Sequence, residues 1–164
     1  MFFNSNNKIN ITLCGMMGSG KTLVGKKLAN EINFSFIDTD NLIEKKAGKS
    51  INRIFMEEGE LYFRELEEHI VTGVLNKKNH VISLGGGAIV NNAIRKIIKN
   101  NSYNIYLKVK IDILASRLYN SKKRPLIKSK NIEKTLTKLI TKREYFYNQA
   151  DLIIKNENTT KHLI

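Results

Sequence analysis

Cysteine is nearly missing from this chain. Of its 164 residues only Cys14 carries a thiol. No internal disulfide can form, which suits a reducing compartment, and a cytoplasmic protein is expected. Cys14 lies in an apolar strand segment, where a small buried hydrophobe is the expected role rather than a reactive thiol. Proline is as scarce, with Pro125 alone. No apolar run approaches the about 20 residues of a membrane span, so no membrane partner is expected. Met1 to Asn7 has neither a basic segment nor an apolar one, which argues against a secretory signal. Acidic residues are few: 15 Asp and Glu stand against 28 Lys and Arg, a net charge of +13. That excess admits three readings: a nucleic-acid footprint, a field for anionic small molecules, or solvated lysines. The lysines are scattered, and no basic stripe is interleaved with aromatics. Most therefore read as solvated surface, and no nucleic-acid partner is expected. The run from Arg117 to Lys130 is the exception.

What is present alternates. Strand segments are expected at Ile9 to Cys14, Phe34 to Ile37, His80 to Leu84, Tyr103 to Val109 and Leu152 to Ile154. Helical patterns lie between them: Lys21 to Asn33, Asp40 to Lys46, Ser50 to Glu57, Leu61 to Leu75, Asn91 to Lys99, Lys110 to Leu118 and Ile132 to Asn148. Such alternation argues for an α/β fold with a mainly parallel sheet, and the length suits one domain over 1–164. Asp40 is placed to cap its helix, and Ser50 to cap the next. Tyr119 to Asn131 lacks periodicity and is dense in Lys, Ser and Asn. A loop of that length in a compact domain is usually functional, often a lid.

Gly15 to Thr22 reads G-M-M-G-S-G-K-T, a full match to G-x-x-x-x-G-K-[ST] between a strand and a helix. Gly15, Gly18 and Gly20 let the backbone turn tightly against a polyphosphate, and successive N–H groups with the helix N-terminus then face the anion. Lys21 would reach the β- and γ-phosphates, and the Thr22 hydroxyl would ligate Mg²⁺. The expectation is a nucleoside triphosphate site.

In open α/β sheets ligands bind beyond the carboxyl ends of the strands. After the second strand comes Asp38-Thr39-Asp40, whose carboxylates at i and i+2 share one side. One can serve the metal and the other an acceptor hydroxyl. Without the phosphate loop, turn and capping roles would be the default. Asp38 is the acid that ends an apolar strand, so it is the expected support for the metal, with Ser83 as a polar helper. After the third strand Gly85-Gly86-Gly87 permits close backbone approach to a ligand, or is simply a flexible turn. Arg64 and Arg143 each have a planar fork suited to a carboxylate. Ordinary surface ion pairs remain the commoner role for such residues.

Taken in order, G-M-M-G-S-G-K-T, F-I-D-T-D, G-E-x-x-F-R-x-x-E (Gly59 to Glu67), S-L-G-G-G (Ser83 to Gly87), R-P-L (Arg124 to Leu126) and K-R-x-x-x-Y (Lys142 to Tyr147) resemble the bacterial shikimate kinase family. The resemblance runs from about Ile9 to Ile154. It implies a three-layer phosphate-loop fold of nucleoside-monophosphate-kinase type. Its five-stranded parallel sheet, in order 2-3-1-4-5, would be flanked by helices and carry a lid at about 119–131, with substrate-binding helices at about 40–75. It implies ATP-dependent phosphorylation of the 3-hydroxyl of shikimate, on the way to chorismate and the aromatic amino acids, by an expected monomer. Carried over by residue, Gly18, Ser19, Gly20, Lys21, Thr22 and Leu23 would cradle ATP, with Thr22 on Mg²⁺. Asp40 would bind the shikimate hydroxyls. Arg64 and Arg143 would bind its carboxylate, and Gly86, between Gly85 and Gly87, would touch it through the backbone. Arg124 would close on the phosphates with the lid, and Arg117 would lie against adenine. Lys21, Asp40 and Arg124 would be the catalytic set. One departure stands out: Lys155 to Thr160 holds no arginine where the family often has a further basic residue on the nucleotide. Gluconate kinase, a hydroxy-acid kinase of the same fold, is the nearest enzyme alternative, and D-T-D paired with L-G-G-G favours shikimate. A regulatory or nucleic-acid-linked protein is suggested by charge alone.

Overall fold

The computed structural model describes residues 9–119 and 131–157. In chain order the elements are β1 (Asn10–Cys14), α1 (Lys21–Glu31), β2 (Ser35–Asp38), α2 (Thr39–Ala47), α3 (Ile51–Glu57), α4 (Gly59–Leu75), β3 (His80–Ser83), α5 (Asn92–Asn101), β4 (Ser102–Lys108), α6 (Ile111–Tyr119), α7 (Ile132–Tyr147) and β5 (Leu152–Lys155). A 3₁₀ turn, Ala88–Val90, follows β3. The strands pair in parallel in the order β2-β3-β1-β4-β5. This is the expected sheet, with element ends shifted by a residue or two. Among the described residues no helix is long and apolar enough to cross a membrane.

β1 is central, and all of Asn10–Cys14 is buried. A parallel strand covered on both faces has no solvent side, so its residues are divided between two cores. Ile11 and Leu13 join Val81, Ile105 and Leu107 under α1. Cys14 joins Ile82, Tyr106, Val71, Ile94 and Leu136 on the other face, under α4, α5 and α7. As expected, Cys14 is packed as a small hydrophobe, 1% exposed. The polar residues of β1 are bonded inside: Thr12 Oγ1 donates to Asn104 Oδ1 at 3.0 Å, and Asn10 Nδ2 donates to Lys77 O at 2.6 Å. Such partners remove the cost of burying a hydroxyl and an amide.

A third, smaller core of Ile43, Ile54, Phe63 and Ile70 ties α2, α3 and α4 into a lobe beside the sheet. One capping expectation is corrected there. The cap of α2 is Asp38, not Asp40: Asp38 has the extended backbone of a cap (φ −103°), and its side chain accepts from Asn41 N at 3.3 Å. Asp40 falls inside the first turn, where its charge sits at the positive end of the helix. Ser50 caps α3 as expected, accepting from Arg53 N at 3.3 Å. Of the expected lid at about 119–131, residues 120–130, with Arg124 and Pro125, lie outside the described residues.

Candidate active site

The phosphate loop runs from the end of β1 into α1. Gly18 and Gly20 adopt φ values of +80° and +91°. These left-handed conformations favour residues without Cβ. A Cβ at Gly20 would also lie 2.8 Å from Asn156 Nδ2. Lys21 opens α1 and folds back over the loop, its Nζ donating to Gly15 O at 2.8 Å and Met16 O at 2.9 Å. Thr22 Oγ1 donates to Asp38 Oδ2 at 2.6 Å, so the hydroxyl and carboxylate expected to serve one metal are in contact. Leu23, the last residue of the expected ATP cradle, is 40% exposed.

Two distant residues brace the loop from behind. Arg117, on α6, donates through Nη1 to Gly18 O at 3.1 Å and through Nη2 to Asn156 O at 3.0 Å. Asn156, just after β5 and 8% exposed, donates through Nδ2 to Ser19 O at 2.7 Å. Its own N–H bonds Lys108 O at 2.9 Å. The segment without an arginine therefore reaches the nucleotide side through an asparagine. Sequence reasoning did not single Asn156 out, and no motif marks it, because its partner stands 137 residues away.

The other wall is the triglycine after β3. Gly85 N donates to the buried Thr39 hydroxyl at 2.9 Å, tying this wall to α2. Each glycine leaves room for a charged side chain. A Cβ at Gly85 would sit 2.5 Å from Asp40 Oδ1, and one at Gly87 would sit 2.6 Å from Arg64 Nη1. At Gly86 it would be 3.4 Å from Arg143 Nη1, and 3.5 Å from Gly15 O of the phosphate loop. Thus Asp40 from α2, Arg64 from α4 and Arg143 from α7 meet on three successive glycines beside the loop. Ser83, the expected polar helper, is buried at the end of β3, paired in register with Asp38.

Arg64 makes the surface pair that its sequence allows and a buried pair besides. It makes the exposed i, i+4 pair with Glu60 at 3.2 Å, and Nη1 donates to the buried Glu67 at 2.7 Å. Glu67 is 2% exposed. Burial raises its carboxyl above the usual carboxylate range, the Arg64 guanidinium opposes that rise, and the charge of Asp40 adds to it. Two carboxylates and two guanidinium groups thus share a small volume. In sequence Glu67 was visible as the last letter of the G-E-x-x-F-R-x-x-E motif and as one of three acids that could pair with Arg64. Tyr147, also within a motif but given no role, is fully buried, and its hydroxyl donates to Gly86 O at 2.5 Å.

Comparison with known proteins supplies a family. The family model described as "Shikimate kinase" matches residues 17–164. The chain is 42% identical to the shikimate kinase of Caldanaerobacter subterraneus subsp. tengcongensis over 151 residues, 92% of this chain and 88% of that one. Among solved structures, shikimate kinase from Bacteroides thetaiotaomicron is 34% identical with a TM-score of 0.89, covering 94% of this chain and 90% of that one. Shikimate kinase from Acinetobacter baumannii in complex with shikimate is 35% identical with a TM-score of 0.87, covering 94% and 87%.

Proposed function

The chain belongs to the shikimate kinase family, and on that premise we propose that its cleft moves the γ-phosphoryl group of ATP to the 3-hydroxyl of shikimate, giving shikimate 3-phosphate and ADP. The observation that carries this is the convergence of Asp40, Arg64 and Arg143 on the triglycine that abuts the phosphate loop. An acceptor held there stands next to the bound phosphates. Phosphoryl transfer asks for positioning and charge neutralisation more than for covalent chemistry. The loop N–H groups and the N-terminus of α1 cradle the phosphates, and Lys21 turns from its carbonyl partners to the β- and γ-phosphates. Arg64 and Arg143 grip the shikimate carboxylate with planar forks. Glu67 holds the Arg64 fork in place. Asp40 accepts the hydrogen bond of the attacking hydroxyl and aims it at the γ-phosphorus.

Thr22 and Asp38 are the residues for Mg²⁺. Their oxygens, 2.6 Å apart, are the hard donors that this cation takes. When bound, Mg²⁺ offsets the negative charge of the β- and γ-phosphates. Arg124 lies outside the described residues. Its reading as a further cation on the phosphates rests on the R-P-L resemblance. Arg117 borders the nucleotide end, where its fork braces Gly18.

A coupled ADP-release assay with shikimate, gluconate and no acceptor in parallel tests the reading. Shikimate should drive release well above the other two. Gluconate driving it equally or faster would overturn the proposal.

A further inference from the structure

The side chain of Tyr147 is built into the interior between both walls of the cleft. Its ring stacks on Tyr106, with centroids 4.9 Å apart. Packing alone would be served as well by phenylalanine, but this chain keeps a hydroxyl at the buried end. That hydroxyl donates to Gly86 O at 2.5 Å, and Met16 Sδ stands 3.7 Å away. Arg143 lies one turn earlier on α7, and its guanidinium faces the same phenol. Gly86 and Arg143 also face one another, since a Cβ on Gly86 would be 3.4 Å from Arg143 Nη1. The phenol oxygen thus bonds the middle peptide of the triglycine, and that peptide faces the Arg143 fork. Burial raises the phenol above its ordinary value, with Arg143 opposing, so it remains a neutral donor across the working pH range.

We propose that Tyr147 is a positioning residue for the acceptor: its hydroxyl holds the Gly86 peptide and the Arg143 fork in one arrangement, and so sets where the acceptor's carboxylate lies relative to the phosphate loop. This rests on the reading of the cleft as a shikimate site. The nucleotide half is spared, because Lys21 is held by the Met16 carbonyl and not by its sulfur. Tyr147→Phe keeps the ring and its stacking and deletes one atom. It leaves the Gly86 carbonyl without this buried donor, a loss on the order of 10-fold in what the contact supports.

The test is steady-state kinetics of wild type, Tyr147→Phe, Arg143→Lys and the double variant, with each substrate varied in turn and melting temperatures recorded. Tyr147→Phe should raise the KM for shikimate about 10-fold, leave the KM for ATP unchanged and lower kcat by a smaller factor. In the Arg143→Lys background the same change should do less, because the fork that it positions is already gone. A lower melting temperature with an unchanged shikimate KM would overturn the proposal and return Tyr147 to packing. An equal rise in both KM values, or full additivity with Arg143→Lys, would also overturn it. A wild-type protein that fails to phosphorylate shikimate would instead overturn the reading of the cleft.

Discussion

The two walls of the cleft are made of different material. The phosphate side is backbone: loop amides and carbonyls braced by Lys21, Arg117 and Asn156, with glycines at positive φ. The acceptor side is side-chain charge: Asp40, Arg64, Glu67 and Arg143 brought from three helices against a strip of glycine. A backbone cradle binds what every triphosphate shares. A charged cluster can name one acid, because fork geometry and hydroxyl placement differ between acids. The first wall should therefore respond to substitution with a loss of rate, and the second with a loss of acceptor affinity.

The largest effect tests the first wall. Lys21→Ala should cut kcat by about 10²-fold or more, the scale of a lost preorganised charge contact, with the fold intact by circular dichroism. Near-wild-type turnover would falsify the assignment of this loop to the reacting phosphates. Gly87→Ala attacks the second wall with one methyl group, placed 2.6 Å from Arg64 Nη1. Displacing that fork should raise the shikimate KM by about 30-fold while the ATP KM holds, within the roughly 10²-fold range of an ångström-scale misplacement. If both KM values rose together, the walls would not be separate. Arg64→Lys keeps the charge and loses the fork. Calorimetry should show shikimate affinity down by roughly 10-fold, the low end for a charge-assisted hydrogen bond, and unchanged affinity would return Arg64 to its surface pair with Glu60. Asn156→Ala loosens the loop from behind and should raise the ATP KM about 3-fold, the scale of a neutral hydrogen bond. An effect on shikimate instead would place the brace on the wrong wall.

The smallest effect is on stability. The folded-state pKa of Glu67 is raised, so its protonated form favours folding. That contribution is fully present below the ordinary glutamate value of about 4.3 and fades as pH climbs through the raised value. Glu67→Gln stays neutral throughout. Urea melts from pH 4 upward should show wild-type stability falling more steeply with pH than that of Glu67→Gln. Parallel slopes would mean that Arg64 cancels the burial of Glu67.

The same contrast explains what could be read before the structure. The alternation of strands and helices and the phosphate loop were legible because both are contiguous patterns: a strand, three glycines and Lys-Thr leave few alternatives, whereas the sheet order came from the resemblance. Asp40, Arg64 and Arg143 stand on separate helices, and local physics made the arginines ordinary surface pairs. Only the resemblance joined them, and the structure adds why the glycines sit opposite. Capping was misassigned between Asp38 and Asp40 because either carboxylate could start α2. The choice fell to Asp38, whose backbone stays extended while it also meets Thr22. Asn156 had no signal, since its role exists only once β5 lies beside β4. Glu67 and Tyr147 were present as motif letters, but burial is what turns them into an anchor and a donor.

Cys14 has a practical consequence at the bench. Burial pushes its thiol up to about 12 against the pull of Lys21. It is the one sulfhydryl in the sequence, and it is sealed beneath the sheet's own helices, so alkylating reagents should leave the folded protein unmarked. A cysteine introduced at an exposed position such as Lys138 would then be the sole target for a maleimide dye. Fluorescence or spin-label distances could be recorded on the otherwise native chain, without first stripping out a background thiol.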